Sequence, residues 1–225
     1  RIIAWHNTVL RDEKGKIAFN VSSGLDITLQ KRESQIQKVI SQILEESNQE
    51  GNLEDFLKFI HSSVKELMPA ENFYIAFHDK EKNTISFPYF IDQYDIDNPP
   101  QEFGKGLTEY VIRTGKSALV DKKTDDELVA KGEIELVGTQ SPIWLGIPLR
   151  TQNATIGVLV VQDYENPNTY GEREKEILEV ISYPISTAME RKRVEQEKAE
   201  LINKLKELNA SKDKLFSLIS HDLRS

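Results

Sequence analysis

Two apolar segments constrain the fold of this chain more than any other feature. They are residues 142–150 (PIWLGIPLR) and residues 155–163 (TIGVLVVQD), both rich in the branched side chains that favour β-strands. Only the polar residues 151–154 (TQNA) separate them, and so short a connection joins antiparallel neighbours. The two segments therefore predict a central pair of antiparallel strands.

Helical and strand-like periodicities alternate before this pair. Apolar residues at three- and four-residue spacing predict helices, and apolar residues that alternate with polar ones predict strands. The predicted elements are helices at 29–46 and 53–68, strands at 71–79 and 84–92, a short helix at 105–116 closed by Gly115, and a brief strand at 117–121.

Capping boxes predict where two further helices begin. Thr124 with Glu127 marks a short helix, and Thr169 with Glu172 marks a long closing helix. Pro184 lies inside the closing helix, where it removes a hydrogen bond, so we expect a kink there. This order of elements predicts an α+β fold with a central antiparallel sheet flanked by helices. The inner face of the closing helix is expected to comprise Ile177, Leu178, Ile181, Ile185, Ala188 and Met189.

The two ends of the chain have patterns of their own. Residues 1–28 predict a β-hairpin whose turn, Asp12 to Lys16, contains Gly15. Beyond Glu190 the chain is highly charged, and its apolar residues form one narrow seam that Lys198 and Lys212 interrupt. Such a seam predicts a parallel two-stranded coiled coil, and hence a homodimer. The seam residues are Val194, Leu201, Leu205, Leu208, Leu215 and Ile219.

Composition excludes several classes of function. The chain of 225 residues has a net charge of −8, which argues against a general nucleic-acid-binding protein. It contains no Cys, so disulfides, thiolate metal sites and thiol catalysis are excluded, and we expect no metal site. No stretch approaches the roughly 20 apolar residues of a membrane span, so we expect no direct membrane contact in this segment.

The segments 103–122 and 141–178 resemble the GAF domain, and the predicted GAF-like domain covers residues 34–190. The resemblance implies a sensor domain with a small-molecule pocket whose ligand is unknown. The absence of Cys rules out covalent bilin attachment and the Cys-dependent methionine-sulfoxide reductase activity of one branch. His61 or His78 could in principle bind haem, although a lone His near a strand is more often structural. The candidate pocket residues, each of which could equally be an ordinary core aromatic, are Phe77, Phe87, Tyr89, Tyr110, Trp144 and Tyr164.

The two ends resemble other signalling modules. The hairpin followed by Asp26-Ile27-Thr28 is similar to the end of a PAS domain, here residues 1–33, although Asp26 and Thr28 could simply cap a helix. The closing sequence SHDLRS resembles the phosphoacceptor motif of sensor histidine kinases, in which a Pro is expected to follow Ser225. After the GAF-like domain, the resemblance therefore predicts a coiled-coil linker at 191–213 and the start of a phosphoacceptor helix at 214–225.

The resemblance to sensor kinases implies a mechanism and partners. A neutral His221 imidazole would attack the γ-phosphorus of ATP, while Asp222 would orient the ring or accept its proton. ATP and Mg²⁺ would be held by an ATP-binding domain elsewhere in the parent chain, since this segment has no Walker-type phosphate loop. The resemblance further implies a response-regulator receiver domain as partner and a cytoplasmic location. This segment alone is expected to be inactive.

Two alternatives remain open at the level of sequence. In the first, HDLR is coincidental and the chain is a non-catalytic GAF dimerisation or small-ligand-binding module of another signalling protein. In the second, the domain controls another output enzyme, such as a nucleotide cyclase or a phosphatase. A helical hairpin and a nucleotide-binding domain beyond Ser225 would favour the kinase over both.

Overall fold

The chain forms five helices and eight strands among the residues that the structure describes. This computed structural model describes residues 1–49, 51–94, 98–152 and 154–222, with the side chains of Ala18, Leu215 and residues 217–222 outside that description. In chain order the elements are β1 (Ile3–Arg11), β2 (Ile17–Asp26), α1 (Thr28–Ser47), α2 (Leu53–Lys65), β3 (Asn72–Asp79), β4 (Thr84–Ile91), β5 (Gln101–Glu102), α3 (Leu107–Thr114), β6 (Ala118–Asp121), α4 (Lys122–Ala130), β7 (Ile143–Arg150), β8 (Thr155–Asp163) and α5 (Glu172–Asp222).

The chain divides into two compact units, Arg1–Gln42 and Ile43–Ser225. The first contains the expected hairpin, in which β1 and β2 pair antiparallel and Gly15 adopts a φ of 77° in the turn. At the end of β2, the Asp26 carboxylate accepts hydrogen bonds from the Thr28 backbone N–H (3.0 Å) and the Thr28 hydroxyl (2.6 Å). The same Thr28 hydroxyl oxygen accepts a bond from the Ile2 N–H (2.7 Å), so these residues tie the hairpin to the start of α1.

The second unit contains a six-stranded antiparallel sheet in the order β5-β4-β3-β8-β7-β6. The predicted central pair, β7 and β8, aligns Ile143 with Asp163 and Leu149 with Gly157. This α+β architecture, with its sheet flanked by helices and a long C-terminal helix, confirms the fold predicted from the sequence.

The two faces of the sheet are covered by different elements. Helices α2 and α5 pack on one face, where the ring of His61 in α2 stacks on Phe73 of β3 with centroids 4.6 Å apart. The predicted inner face of α5, from Ile177 to Met189, is buried. Helices α3 and α4 lie on the other face, where Val111 and Leu128 join a core cluster with Tyr74 and Trp144.

Local hydrogen bonding differs from the sequence prediction at three helix ends. Helix α4 begins at Lys122 rather than after Thr124, because the Asp121 side chain caps it by accepting the Thr124 N–H (2.8 Å). At α5, Thr169 is not the cap, since its hydroxyl donates to Asp163 (2.6 Å). There the Gly171 N–H donates to Glu174 (3.0 Å). Helix α2 ends at Lys65, three residues before the predicted end.

Helix α5 runs without interruption from Glu172 to Asp222 and includes Pro184. A kink at Pro184 stays a prediction. His221 and Asp222 lie in the last turn of α5, and their side chains lie outside the described residues. Among the described helices, none combines the length and apolar character that crossing a membrane requires.

Candidate functional site

A cavity of about 140 Å³ lies on the α3/α4 face of the sheet. Its floor comes from strands β3, β4, β7 and β8, and its sides come from the first turn of α3 and from α4. The rest of the lining comes from Asn98, β5, β6 and residues 131–141, which we call the cover loop. Hydrogen bonds that hold the loop include those from the Glu135 N–H to the Lys105 carbonyl (2.8 Å) and from Arg113 to the Glu133 carbonyl (2.7 Å).

Aromatic side chains form the apolar wall of the cavity. Tyr74, Phe87, Phe90 and Trp144 all line it, and the Tyr74 ring stacks on Phe90 with centroids 5.3 Å apart. The register of β3 and β4 shifts along the pair, because Tyr74 pairs with Phe90 whereas Phe77 pairs with Ser86. Strand β4 therefore carries one extra residue near Pro88. This bulge turns both Phe87 and Phe90 toward the cavity although they are three residues apart.

The polar tips of these aromatic residues are already paired within the protein. The Trp144 indole Nε1–H donates to the Tyr74 hydroxyl (3.2 Å), which is also 2.9 Å from the Thr108 hydroxyl. Burial raises the pKa of the Tyr74 phenol to about 12, so it stays protonated at neutral pH. The wall therefore presents mainly ring surface to the inside of the cavity.

Trp144 owes its position to the glycine two residues further along β7. A Cβ atom built on Gly146 would lie 2.1 Å from Cη2 of the Trp144 ring. Because real carbon atoms cannot approach so closely, only glycine at position 146 lets the indole lie across the strand and form the cavity wall.

Carboxylates and amides make up most of the polar lining. Glu109 at the start of α3 is only 6% exposed, and its Oε1 accepts one long bond from the Gly104 N–H (3.4 Å). Asp125 of α4 accepts a bond from the Gln140 side chain of the cover loop (3.1 Å), and burial raises its pKa. Gln162 of β8 donates to Asp92 (2.6 Å) at the opposite edge.

The six aromatic residues predicted from the sequence separate into three groups. Phe87 and Trp144 line the cavity. Phe77 and Tyr89 lie on the other face of the sheet, where the Tyr89 hydroxyl bonds the His61 ring (2.9 Å). Tyr110 packs at the margin of the core cluster, and Tyr164 bonds Gln162 (2.9 Å) without reaching the cavity.

Two lining aromatics, Tyr74 and Phe90, and the buried Glu109 were not predicted. One signal for Phe90 was available, since a Pro inside a strand commonly marks a bulge that changes which residues share a face. For Glu109 the only signal was a charged residue on the apolar face of a short helix, beside Thr108 and Ile112.

The two candidate histidines have structural surroundings. The Nε2 atom of His61 is 2.6 Å from the Ala70 carbonyl, so Nε2 carries the proton and Nδ1 accepts from Tyr89. The His78 ring packs on Phe103 with centroids 4.1 Å apart, and neither of its nitrogens has a hydrogen-bond partner among the described residues. Desolvation on burial lowers the pKa of both rings. Within the described parts of the chain, no group of three or more His, Asp or Glu side chains could hold a metal ion.

An antiparallel sheet with two helices on one face and a lined cavity on the other defines a small α+β domain of the kind used for signalling and ligand binding. Residues 50–190 match the family model of the GAF domain. This match spans more than half of the chain, which therefore belongs to the GAF domain family.

Solved structures share this fold at low sequence identity. The GAF domain of a phosphoenolpyruvate-protein phosphotransferase from Coxiella burnetii has 19% identity and a TM-score of 0.58, covering 73% of this chain and 98% of that one. The corresponding Acinetobacter domain has 17% identity and a TM-score of 0.54, covering 70% and 94%. Free methionine-R-sulfoxide reductase from Neisseria meningitidis, solved with its substrate, has 17% identity and a TM-score of 0.54, covering 70% and 90%. No curated protein matches the chain in sequence.

Proposed function

We propose that this chain is the sensory and signal-transmitting region of a two-component sensor histidine kinase, coupling PAS and GAF input to autophosphorylation at His221. The observation that carries this proposal is the continuity of α5. The helix begins at Glu172 beside the GAF sheet and includes His221 and Asp222, so the domain and the proposed phosphoacceptor residue share one helix.

The contacts of α5 support a path from the cavity to this helix. Strand β7 places Trp144 in the cavity wall and ends at Arg150, whose carbonyl accepts a hydrogen bond from the Ser186 hydroxyl of α5 (2.7 Å). Further along α5, Arg191 and Lys192 bond the Asn48 side chain and the Gln49 carbonyl after α1. A ligand that displaces Trp144 would therefore act on a strand that is bonded directly to α5.

The exposed part of α5 supports dimerisation. Val194, Leu201, Leu205 and Leu208 share one seam and are 49–67% exposed in the single chain. Because half-exposed apolar residues on a charged helix gain free energy when buried, the seam suits a parallel coiled coil with a second copy. In such a dimer the two copies of His221 lie near the same axis. Small changes in helix register would then alter their presentation to an ATP-binding domain.

The proposed reaction needs few groups from this chain. A neutral nitrogen of His221 attacks the γ-phosphorus of ATP, a bond from nitrogen to phosphorus forms, and the bond from phosphorus to the ADP oxygen breaks. Asp222 orients the imidazole or accepts its ring proton. The ATP-binding domain of the parent chain supplies the nucleotide, Mg²⁺ and charge stabilisation. The phosphoryl group then passes to an aspartate of a receiver domain.

A second candidate function is a ligand-binding or dimerisation module without phosphotransfer. The cavity favours it, because a small-ligand site and an apolar seam are sufficient for such a role. The two candidate functions differ in whether His221 is phosphorylated.

The test is phosphorylation of the full-length protein that contains this chain. Incubation with γ-labelled ATP is expected to place acid-labile, base-stable phosphate on the protein. His221→Gln is expected to abolish the label, while His6→Gln, an exposed hairpin residue, is expected to retain it. An unlabelled wild-type protein, or label that persists in the His221 variant, would refute the kinase assignment and leave the binding module.

A further inference from the structure

The size of the cavity limits what it can hold. A cavity of about 150 Å³ accommodates a molecule the size of benzene, and the cavity here measures about 140 Å³. Cyclic nucleotides, bilins and haem are several times larger. The enclosed part of the cavity therefore suits a compact group, with one small apolar body and a short polar extension.

The charge of the cavity lining indicates which charge the polar group of a ligand would carry. The described lining residues include four carboxylates, those of Glu109, Asp121, Asp125 and Glu135, and no Lys, Arg or His. Such a lining produces a negative potential inside the cavity, which attracts cations and repels anions. Asp121 is already engaged as the α4 cap, and Glu135 is exposed near Lys105 (3.8 Å). Glu109 and Asp125 are the carboxylates left for a ligand.

Glu109 receives little hydrogen bonding from the described part of the protein. Its side chain lies in the cavity lining and is 94% buried, yet among the described residues only the Gly104 N–H bonds it, at 3.4 Å through Oε1. Gly106 leaves room for the other oxygen, since a Cβ there would lie 2.8 Å from Oε2. A buried carboxylate is costly unless a cation or strong donors reach it. A positively charged ligand would supply what the protein does not.

The aromatic wall suits the same ligand. Tyr74, Phe87, Phe90 and Trp144 surround the cavity with ring surfaces, which attract cations electrostatically and apolar groups through burial. Because the Tyr74 hydroxyl and the Trp144 N–H already bond each other, neither offers a free polar group that would select a neutral polar ligand instead.

We propose that the cavity binds a small organic ammonium compound, with its cationic group on Glu109 and its apolar body against the aromatic wall. Asp125, held by Gln140 of the cover loop, adds a second carboxylate on the α4 side. The inference rests on the cavity being the input site of the proposed signalling function, and it names the chemical class of that input.

Three probes that share a phenyl ring test the charge preference directly. Benzylamine, benzyl alcohol and benzoate have similar size but carry a positive, no and a negative charge at pH 7. Isothermal titration calorimetry with the purified chain at about 0.15 M salt, where long-range attraction is screened, compares them. Benzylamine is expected to bind at least about tenfold more tightly than benzyl alcohol, and benzoate is expected to bind more weakly than either.

A matched pair of variants tests the anchoring residue. Glu109→Gln keeps the shape and removes the charge, so benzylamine affinity should fall by about tenfold or more, towards that of benzyl alcohol. Glu127→Gln makes the same chemical change on the exposed side of α4, outside the cavity lining, and should leave the affinity unchanged. Circular dichroism checks that both variants are folded. If Glu109→Gln does not fold, the probe comparison in the wild-type chain decides the matter.

Three results would overturn the inference. They are binding of benzyl alcohol or benzoate at least as tight as that of benzylamine, unchanged benzylamine affinity in the folded Glu109 variant, and no benzylamine binding up to about 10 mM. None of these measurements involves phosphoryl transfer. Failure of the ligand class is therefore distinguishable from failure of the His221 labelling experiment.

Discussion

Replacing Gly146 with alanine perturbs the cavity wall through one added methyl group. The new Cβ would lie 2.1, 2.5 and 2.9 Å from three carbons of the Trp144 ring. Carbon atoms in contact are normally separated by about 3.5 Å, so the ring must withdraw by about 1.4 Å or leave its rotamer. Either movement breaks the bond from the Trp144 N–H to the Tyr74 hydroxyl and changes the shape of the cavity.

The expected loss of stability follows from these two effects. Overpacking in a core costs about 1–3 kcal/mol, and loss of the buried hydrogen bond adds about 1 kcal/mol. The sum, about 2–4 kcal/mol, corresponds to a fall in Tm of roughly 5–15 °C for a domain of this size. Gly51→Ala is the matched control, because a Cβ on Gly51 meets no atom within 4 Å and its φ is not positive.

Tryptophan fluorescence measures the displacement directly. The chain has two tryptophans, and Trp5 is 67% exposed, so a Trp5→Phe background leaves the buried Trp144 as the reporter. Gly146→Ala is expected to shift the emission to longer wavelength and lower the Tm, while Gly51→Ala changes neither. An emission maximum and a Tm unchanged in the Gly146 variant would refute the argument that Gly146 positions the indole.

Three further predictions concern stability. Gly157→Ala should destabilise the domain more than Gly146→Ala in thermal unfolding, because its Cβ would lie 2.1 Å from the backbone carbonyl oxygen of Ala76, which cannot rotate away; an equal or smaller loss would contradict this. Asn52→Ala should cost about 1 kcal/mol in urea unfolding, since the Asn52 side chain caps α2 through the Asp55 N–H (2.8 Å). Burial lowers the pKa of His78 below its ordinary 6.5, so the unfolded state binds more protons and stability should fall as pH drops from about 6.5 towards the lowered pKa. His78→Leu should reduce that fall in stability. A pH profile of stability that is the same in the variant and the wild type would refute the role of His78.

The order of helices and strands was predictable because each element has a clear periodicity. Strands β7 and β8 are short apolar runs around a polar turn, and Gly115 ends α3 in the left-handed conformation (φ 62°) that favours glycine. The caps were less predictable, since a Ser, Thr or Asp near a helix start offers several candidate oxygens. Asp121 caps α4 in place of Thr124 because its side chain reaches the Thr124 N–H.

The residues that line the cavity were only partly predictable. Alternation along a strand shows which side chains share a face of the sheet, but not which face carries the cavity. Along β3 the alternation separates Phe77 from Tyr74, but the sequence does not indicate which of the two faces the cavity. The extra residue near Pro88 then changes the alternation within β4 and brings in Phe90. The cover loop has no periodicity, so its place over the sheet depends on tertiary bonds such as the one from Arg113 to the Glu133 carbonyl.

In the proposed function, α5 transmits a change in the GAF domain to His221 through helix register. One residue inserted between Val194 and Leu208 rotates everything beyond it by about 100°, whereas seven inserted residues restore the facing side to within about 20°. Autophosphorylation of the full-length protein and its response to ligand should be lost or inverted by the first insertion and retained with the second. Equal activity and response in both variants and the wild type would contradict the claim.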